Sequence, residues 1–576
     1  MHLKGIAASP GIATGTAVVF VKQTLPEIDG NVGDVEAEVA RFHDAIHGAV
    51  DQLVALKEKM RDSLGDEFAH IFRSQQTIAE DESIRGEIEA AIRDTSICAE
   101  MALRTVFDTY RALFDELDDS DYNKSRAADI EDVYKRILRN LLGVPEVTLA
   151  DLDPDTIIVA EELFPSDTAM MDARAVGGMV TERGGATSHV AILAKNLGIP
   201  AAVRVEGALA QIRDRDAVVI ESVENEAARV FVNPDRRTVA ELRDRERTLH
   251  RRRERIERFR GKDAVTTDGE RIVLSANVGS TADLEPAYEA GATSIGLYRS
   301  EFLFLNSPAP PDEEQQYTAY RRAAERFDEG FVIVRTLDIG GDKRVPSIPM
   351  PEEGNPFLGN RALRLCLSRP DLFRKQLRAV LRAGAHGSIK IMFPMVGGVS
   401  ELDRALAALE EAKRELESEG LLYDREMEVG IMVEVPSAVW VADALAARVS
   451  FFSIGTNDLT QYLMAADRLN GDIEEYYRTF DPSVFRSIHE VARAADRHGR
   501  WVGVCGELAG NPLAIPVLAG LGVTELSMSP RMLAEATSLL CASSMAEVRS
   551  LAGEVLALDS HTEIKALLRR HYSSKE

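Results

Sequence analysis

A histidine at the first turn of a helix, behind a double glycine, is a place where an imidazole can take up a phosphoryl group. The segment VTERGGATSHVAILAKNLGIP, Val180 to Pro200, has that form. Its apolar run Val190 to Ala194 continues as helix, Thr187 or Ser188 can cap it, and Gly198 with Pro200 stops it. The free backbone N–H groups and the positive end of the helix dipole then favour anionic oxygens beside His189. Gly184 and Gly185 let the backbone come close to them.

A second set of reactive residues closes a series of apolar segments: RIVLSANVG, TSIGLYRSE, FVIVRTLDIGG, SIKIMFPMV, EVGIMVEVP, FFSIGTNDL, WVGVCGEL and TELSMS. Asn277 ends the first, Arg299 and Glu301 the second, and Arg335 and Asp338 the third. Glu434, Asn457 with Asp458, and Cys505 with Glu507 end the fifth, sixth and seventh. Adjacent parallel strands lie about 4.8 Å apart, so Glu434 and Asp458 can share one hard cation; Mg²⁺ takes one or two carboxylates plus substrate oxygens, and Mn²⁺ suits the same ligands. Arg299, Arg335, Arg361 and Arg468 can converge on the same mouth, where guanidinium forks suit a phosphate and a carboxylate; Lys343 and Asn457 are further donors. A small substrate bearing both groups is indicated. Cys505 beside them can act as a proton donor, because burial disfavours a thiolate.

The elements that must position these groups are legible from periodicity. Eight apolar segments separated by helical stretches predict a closed parallel (β/α)8 TIM barrel over 263–576, whose active site is assembled at the C-terminal strand ends. Upstream, TGTAVVFV, TIIVA, GGMVT, DAVVIES and ARVFVNP predict a small α/β domain over 1–20 and 147–235 that carries His189. Between its halves, residues 21–146 have apolar positions three and four apart and predict an inserted helical bundle. Arg236 to Lys262 carries nine arginines between Arg243 and Arg260, but acidic residues alternate with them in helical register. That pattern predicts a solvated linker helix over 236–262 between domains that move.

With 576 residues, 45% of them hydrophobic, the chain can build several cores. Sixty-eight basic against 94 acidic residues give a net charge of −26, which argues against a nucleic-acid or anionic-membrane binder. Cys98, Cys366, Cys505 and Cys541 have neither disulfide-framework nor zinc spacing. No apolar run approaches the roughly 18 residues of a membrane span and the N-terminus lacks a signal-peptide core, so the expected compartment is the cytoplasm, with no direct membrane insertion.

Several motifs, in order, carry a resemblance over the whole chain: ASPGIA, GGATSH, GLYRSEFLF, VRTLDIGGDK, NPFLGNRALR, IMFPMV, IMVEVP, FFSIGTNDLTQY and VCGELAG. The chain resembles enzyme I of the bacterial phosphoenolpyruvate:sugar phosphotransferase system. That resemblance implies a swivelling phosphohistidine domain and a barrel that binds phosphoenolpyruvate with Mg²⁺ and no nucleotide. It implies His189 as nucleophile, Glu434 and Asp458 as metal ligands, and Cys505 as the acid that completes pyruvate. Arg299, Arg335, Arg361, Asn457, Asp458, Arg468 and Lys343 would hold the substrate. It also implies a homodimer through the barrel domain, and transfer to a histidine of the carrier HPr docked on the helical subdomain. The acidic stretch FDELDDSDYN, with Asp129, Glu131 and Asp132 beyond it, suits steering of a basic carrier. Ala186, Asn360 and Leu469 depart from the family pattern, as does SQQTIAEDE in the helical block. A pyruvate phosphate dikinase would need a nucleotide cradle where residues 1–150 offer helices, and a non-catalytic sensor would lack His189, Cys505 or the metal carboxylates.

Overall fold

The computed structural model describes residues 2–576 apart from 22–25, 27, 29, 65, 116–120, 145–148, 150–151, 165–166, 169–170, 173, 186–187, 224–226, 306–308, 342, 344, 346, 352 and 574–576. At the helical positions 59–64, 66–71, 73, 112–115, 121–128, 189, 192, 196, 471 and 474 it describes the backbone alone. The chain divides into two compact units, 1–250 and 251–576.

In the first unit the N-terminal segment is more regular than its Pro10 and its glycines suggest. β1 (His2–Ser9) and β2 (Gly11–Phe20) run on either side of Pro10. With β3 (Thr156–Ala160), β4 (Val176–Thr181), β5 (Ala201–Val203), β6 (Ala217–Ser222) and β7 (Ala227–Val232) they close a barrel in the order β1-β5-β4-β3-β2-β6-β7. β2 to β5 are parallel, and β1, β6 and β7 join antiparallel. Gly15 sits inside a strand because another backbone passes there: a Cβ would lie 1.9 Å from the Asp155 carbonyl. β1 and β5 were not foreseen as strands, since β5 has three residues and β1 shows no clean apolar alternation.

Between β2 and β3 come five helices, α1 (Val35–Leu64), α2 (Asp66–Ala79), α3 (Glu82–Thr95), α4 (Ala99–Asp115) and α5 (Asp121–Leu142). Their apolar faces meet in one core around Phe42, Phe72, Ile88, Ile92, Leu103 and Ile137. One expectation fails here. Asp129 and Asp132 are buried, and the Gln75 amide donates to both at 3.3 and 3.1 Å; Glu131 pairs with Arg111 and Lys135. Helical spacing turns Asp129 and Asp132 inward, so they are not surface charge for a carrier, while the side chains of FDELDDSDYN lie outside the described ones.

The arginine-rich segment forms a helix, Arg236–Glu257, shorter than the Arg236–Lys262 expected because tight turns at Phe259 and Arg260 lead into Gly261 at φ +67°. Its Leu242 joins Ile12 and Val219 of the small barrel, and its Arg245 pairs with the buried Glu221.

In the second unit β9 (Arg271–Val278), β10 (Ile295–Arg299), β11 (Val332–Arg335), β12 (Ile389–Phe393), β13 (Val429–Val433), β14 (Phe451–Ile454), β15 (Trp501–Val504) and β16 (Glu525–Met528) pair in sequence order, all parallel. β16 returns to β9 and closes the barrel; a short β8 (Ala264–Val265) lies antiparallel on β9. Each strand falls within one of the eight predicted segments. No helix among the described residues is long and apolar enough to cross a membrane.

Inside this barrel Glu525 is 1% exposed, and burial pushes its carboxyl up to about 8 from an ordinary 4.5. The folded chain therefore keeps a proton that the unfolded chain releases, so stability should fall as pH rises from 4.5 to about 8 and level off above. The expected loss is on the order of a few kcal/mol. Urea titrations across that range should show it, and Glu525→Gln should remove this group's share while the share of Glu434, raised to about 8 in the same barrel, remains, with Trp440 and Trp501, both in the barrel unit, as the fluorescent reporters.

Candidate active site

The C-terminal ends of the barrel strands surround a cavity of about 600 Å³. Eight of the ten predicted site residues line it: Arg299, Arg335, Lys343, Glu434, Asn457, Asp458, Arg468 and Cys505. Arg361 stands behind the wall, 2% exposed, reaching Asp338 at 3.0 Å and Asp458 at 3.4 Å. His189 lies in the other unit as the first residue of the helix His189–Leu197, and its side chain is outside the described ones. Ser188 caps that helix, accepting from the Ala191 N–H at 3.4 Å, and Gly198 ends it at φ 68°.

The cations fall into two kinds. Arg335, the last residue of β11, pairs with Glu301 and with Asp338 at 3.0 Å, and Arg361 shares that Asp338. Lys343 stands 3.5 Å from Glu301 and 3.6 Å from Asp338. Burial alone would raise the Asp338 pKa, but Arg335 and Arg361 hold its carboxyl well below the usual carboxylate range. Arg299 and Arg468 are different: among the described residues neither guanidinium has an ion pair or a side-chain hydrogen bond, and both line the cavity. Enclosure by the walls, then the like charge of Arg335, draw the Arg299 pKa down, as for a cation short of counter-charge.

Close backbone approach holds Arg361 in place. Gly340, at φ +107°, passes so near that a Cβ on it would stand 2.5 Å from the Arg361 Cβ, and Ala362 follows at φ 52°, ψ −124°. Glu434 follows β13 and accepts the Met395 N–H at 2.6 Å, a donor aimed by Met395 in a left-handed conformation at φ 54°. Two non-glycine residues with positive φ beside one site are strain held by their surroundings.

Burial, and then the charges of Asp458 and Asp338, push the Glu434 carboxyl up to about 8. Asp458 lies in the first turn of the helix Thr456–Met464 that follows β14. Its neighbour Asn457 is tied to Glu507 by side chain and backbone, at 3.2 and 3.0 Å. Cys505 follows β15 directly, among Leu297 and Met432, and burial pushes its thiol up to about 12, so it carries its proton at neutral pH. The arrangement can hold a doubly anionic small molecule, charge its oxygens against arginines, and deliver one proton.

Asp338 and Glu301 were legible as strand-end residues, but their task of charging and orienting Arg335 was not. Tyr477, in the cavity wall with its hydroxyl donating to the Asn457 carbonyl at 3.1 Å, had no sequence signal.

Comparison with known proteins places the whole chain in one family. The family model "PEP-utilising enzyme, PEP-binding domain" matches residues 253–545, the N-terminal domain of PEP-utilising enzymes matches 4–126, and their mobile domain matches 152–224. The phosphoenolpyruvate-protein phosphotransferase of Listeria innocua is 40% identical over 570 residues, covering 99% of both chains. That of Bacillus subtilis is 40% identical over 571 residues, covering 99% of this chain and all of its own (100%). The solution structure of Enzyme I (nEIt) is 35% identical and covers 43% of this chain and 99% of its own, at a TM-score of 0.38. Matched end to end at this identity, and in all three domains, the chain belongs to the phosphoenolpyruvate-protein phosphotransferase family of PEP-utilising enzymes.

Proposed function

We propose that the barrel cavity binds phosphoenolpyruvate, that its phosphoryl group passes to His189 and then to a histidine of an HPr-type carrier protein, and that pyruvate is released. This is the first step of phosphotransferase-system sugar uptake, in the cytoplasm. The observation that carries the reading is the pair Arg299 and Arg468, cations without an ion pair among the described residues, facing one cavity with a protonated Cys505. Guanidinium forks match phosphate and carboxylate bidentately. Arg335 and Arg361, held by Asp338, add fixed positive charge from the wall, and Asn457 and Lys343 add donors.

Glu434 and Asp458 are the residues that would hold Mg²⁺, or Mn²⁺ in its place. They fit it: Glu434 is a buried carboxyl pushed up by a neighbouring carboxylate, and a divalent cation would relieve both. Among the described residues no three His, Cys, Asp or Glu side chains gather into a metal cluster, so substrate oxygens would complete the shell. The ion would offset charge on the phosphoryl oxygens.

The chain's own residues then do three things. The arginines orient the phosphoryl group for in-line attack by His189 Nε2. The Cys505 thiol gives its proton to the methylene carbon of the enolate. The walls exclude water that would hydrolyse the phosphoryl group. The division into 1–20 with 147–235, a carrier-binding block 21–146, a linker helix 236–262 and a dimer-forming barrel 263–576 is part of the same proposal and rests on the resemblance.

Intact-mass analysis of the full chain with phosphoenolpyruvate and Mg²⁺, without ATP, tests it. The wild type should gain one acid-labile phosphoryl group and release pyruvate, and His189→Ala should gain none. Phosphorylation of His189→Ala at the wild-type rate would overturn the reading.

A further inference from the structure

The lumen beneath Cys505 holds a titratable group that the transfer above does not use. Strand register sets Ser453 of β14, Gly503 of β15 and Glu525 of β16 in one row across three neighbouring strands. Residues two apart on a strand share a face, so Cys505 stands one level above Gly503, on the side of the cavity. The middle member of the row has no side chain, and the Glu525 carboxyl lies over it: a Cβ on Gly503 would come 2.1 Å from Oε2. Gly296 of β10 leaves room for the other oxygen, where a Cβ would come 2.2 Å from Oε1. Two glycines thus shape a slot for one carboxyl group.

Ser275 is the hydroxyl that bears on it, opposing the upward pull of burial, but it falls short of a full hydrogen bond. Both Glu525 oxygens, with the hydroxyls of Ser453 and Ser275, are buried without a hydrogen-bond partner among the described residues. Such atoms are costly to leave unpaired, and Leu297, Met432 and Phe451 give the lumen an apolar lining around them. A cluster of polar atoms kept there at that cost asks for a use. The Ser453 hydroxyl also acts on the Cys505 thiol, where it opposes the upward pull of burial. By register Ser453 flanks Gly503, the position over which the Glu525 carboxyl lies, and it also acts on the thiol one level above.

We propose that Glu525 is a positioning residue that stores the proton with which Cys505 is restored after each turnover, passed through the Ser453 hydroxyl. The inference rests on Cys505 as the acid that protonates the enolate. In that step a C–H bond forms at the methylene carbon, the S–H bond breaks, and a thiolate is left. Ser453 then gives its proton to the sulfur and takes the proton of Glu525, leaving a carboxylate that is reprotonated from solvent. The direction is downhill, since the thiol sits near 12 and the carboxyl near 8.

The test uses the full chain with Mg²⁺, phosphoenolpyruvate and ¹³C-labelled pyruvate in D₂O, followed by NMR. Carbon label can pass between pyruvate and phosphoenolpyruvate while the thiol gives up and takes back the same hydrogen. Deuterium enters the pyruvate methyl group only when the thiol has been recharged from solvent. For Glu525→Gln the deuterium gained per carbon exchanged should fall at least tenfold, whatever the absolute exchange rate. Ser453→Ala should do the same, and it reads the relay if the glutamine variant fails to fold. Glu525→Asp, a shorter acid that still carries a proton, should recover most of the ratio; a purely space-filling role would instead be met by glutamine. A wild-type ratio in both Glu525→Gln and Ser453→Ala overturns the relay and leaves the role of Cys505 standing. A Cys505→Ala chain that keeps both wild-type carbon exchange and wild-type deuteration overturns that role and the relay with it.

Discussion

Replacing Cys505 by alanine is expected to slow pyruvate release by roughly 10²–10⁴-fold, the usual worth of a positioned general acid. The thiol is 2% exposed, lines the cavity, and is held protonated by burial at about 12, so it can give a proton to carbon without first competing with bulk water. Alanine keeps the small apolar volume beside Leu297 and Met432 and removes only the proton. Serine should recover little, because a hydroxyl is a weaker acid than a thiol. Pyruvate formation per mole of chain, measured with phosphoryl uptake on the same samples, checks the prediction. Wild-type pyruvate release by Cys505→Ala would assign the proton to another group.

The second large effect is expected at Asp338. Its carboxylate, 1% exposed, is shared by Arg335 and Arg361 at 3.0 Å each, with Lys343 at 3.6 Å. Asp338→Ala leaves two buried guanidinium groups with Glu301 and Asp458 as their remaining counter-charges. Breaking a buried pair by removing one partner typically costs about 3–5 kcal/mol, because the charge left behind stays out of water. We expect a loss of that size in urea unfolding followed by tryptophan fluorescence, together with weakened phosphoenolpyruvate binding as Arg335 and Arg361 lose their orientation. A double-mutant cycle with Arg361→Leu separates the terms. If the two changes add with no coupling, the pair does not act as one unit.

How far the chain could be read in advance differs between its two units. The barrel was legible because a buried parallel strand is a short apolar run, and because fold geometry brings the ends of such runs to one mouth. Arg299, Arg335, Glu434, Asn457, Asp458 and Cys505 could thus be placed together from strand ends alone, and all six line the cavity. The small barrel was harder. Gly15 looks like a breaker along the chain, and it is a strand residue because Asp155 passes against it, a contact between residues 140 positions apart.

Residue type, order and spacing therefore determined the family, the barrel strands and the chemistry at their ends, since hydrophobic periodicity and strand-end polarity are properties of neighbours in the chain. Only the tertiary structure decided which charges are spent and which are free. Asp129 and Asp132 read as surface acids and are bonded to Gln75 in a helical core; Arg361 read as one more cation at the mouth, and its charge is shared with Asp338 and Asp458. Glu525, which carries no chemical signal within the segment TELSMS, is an enclosed, protonated acid between two glycines. The physical reason is common to all three. Desolvation and Coulomb energy depend on what surrounds a group in space, and those surroundings are assembled from segments far apart in the chain.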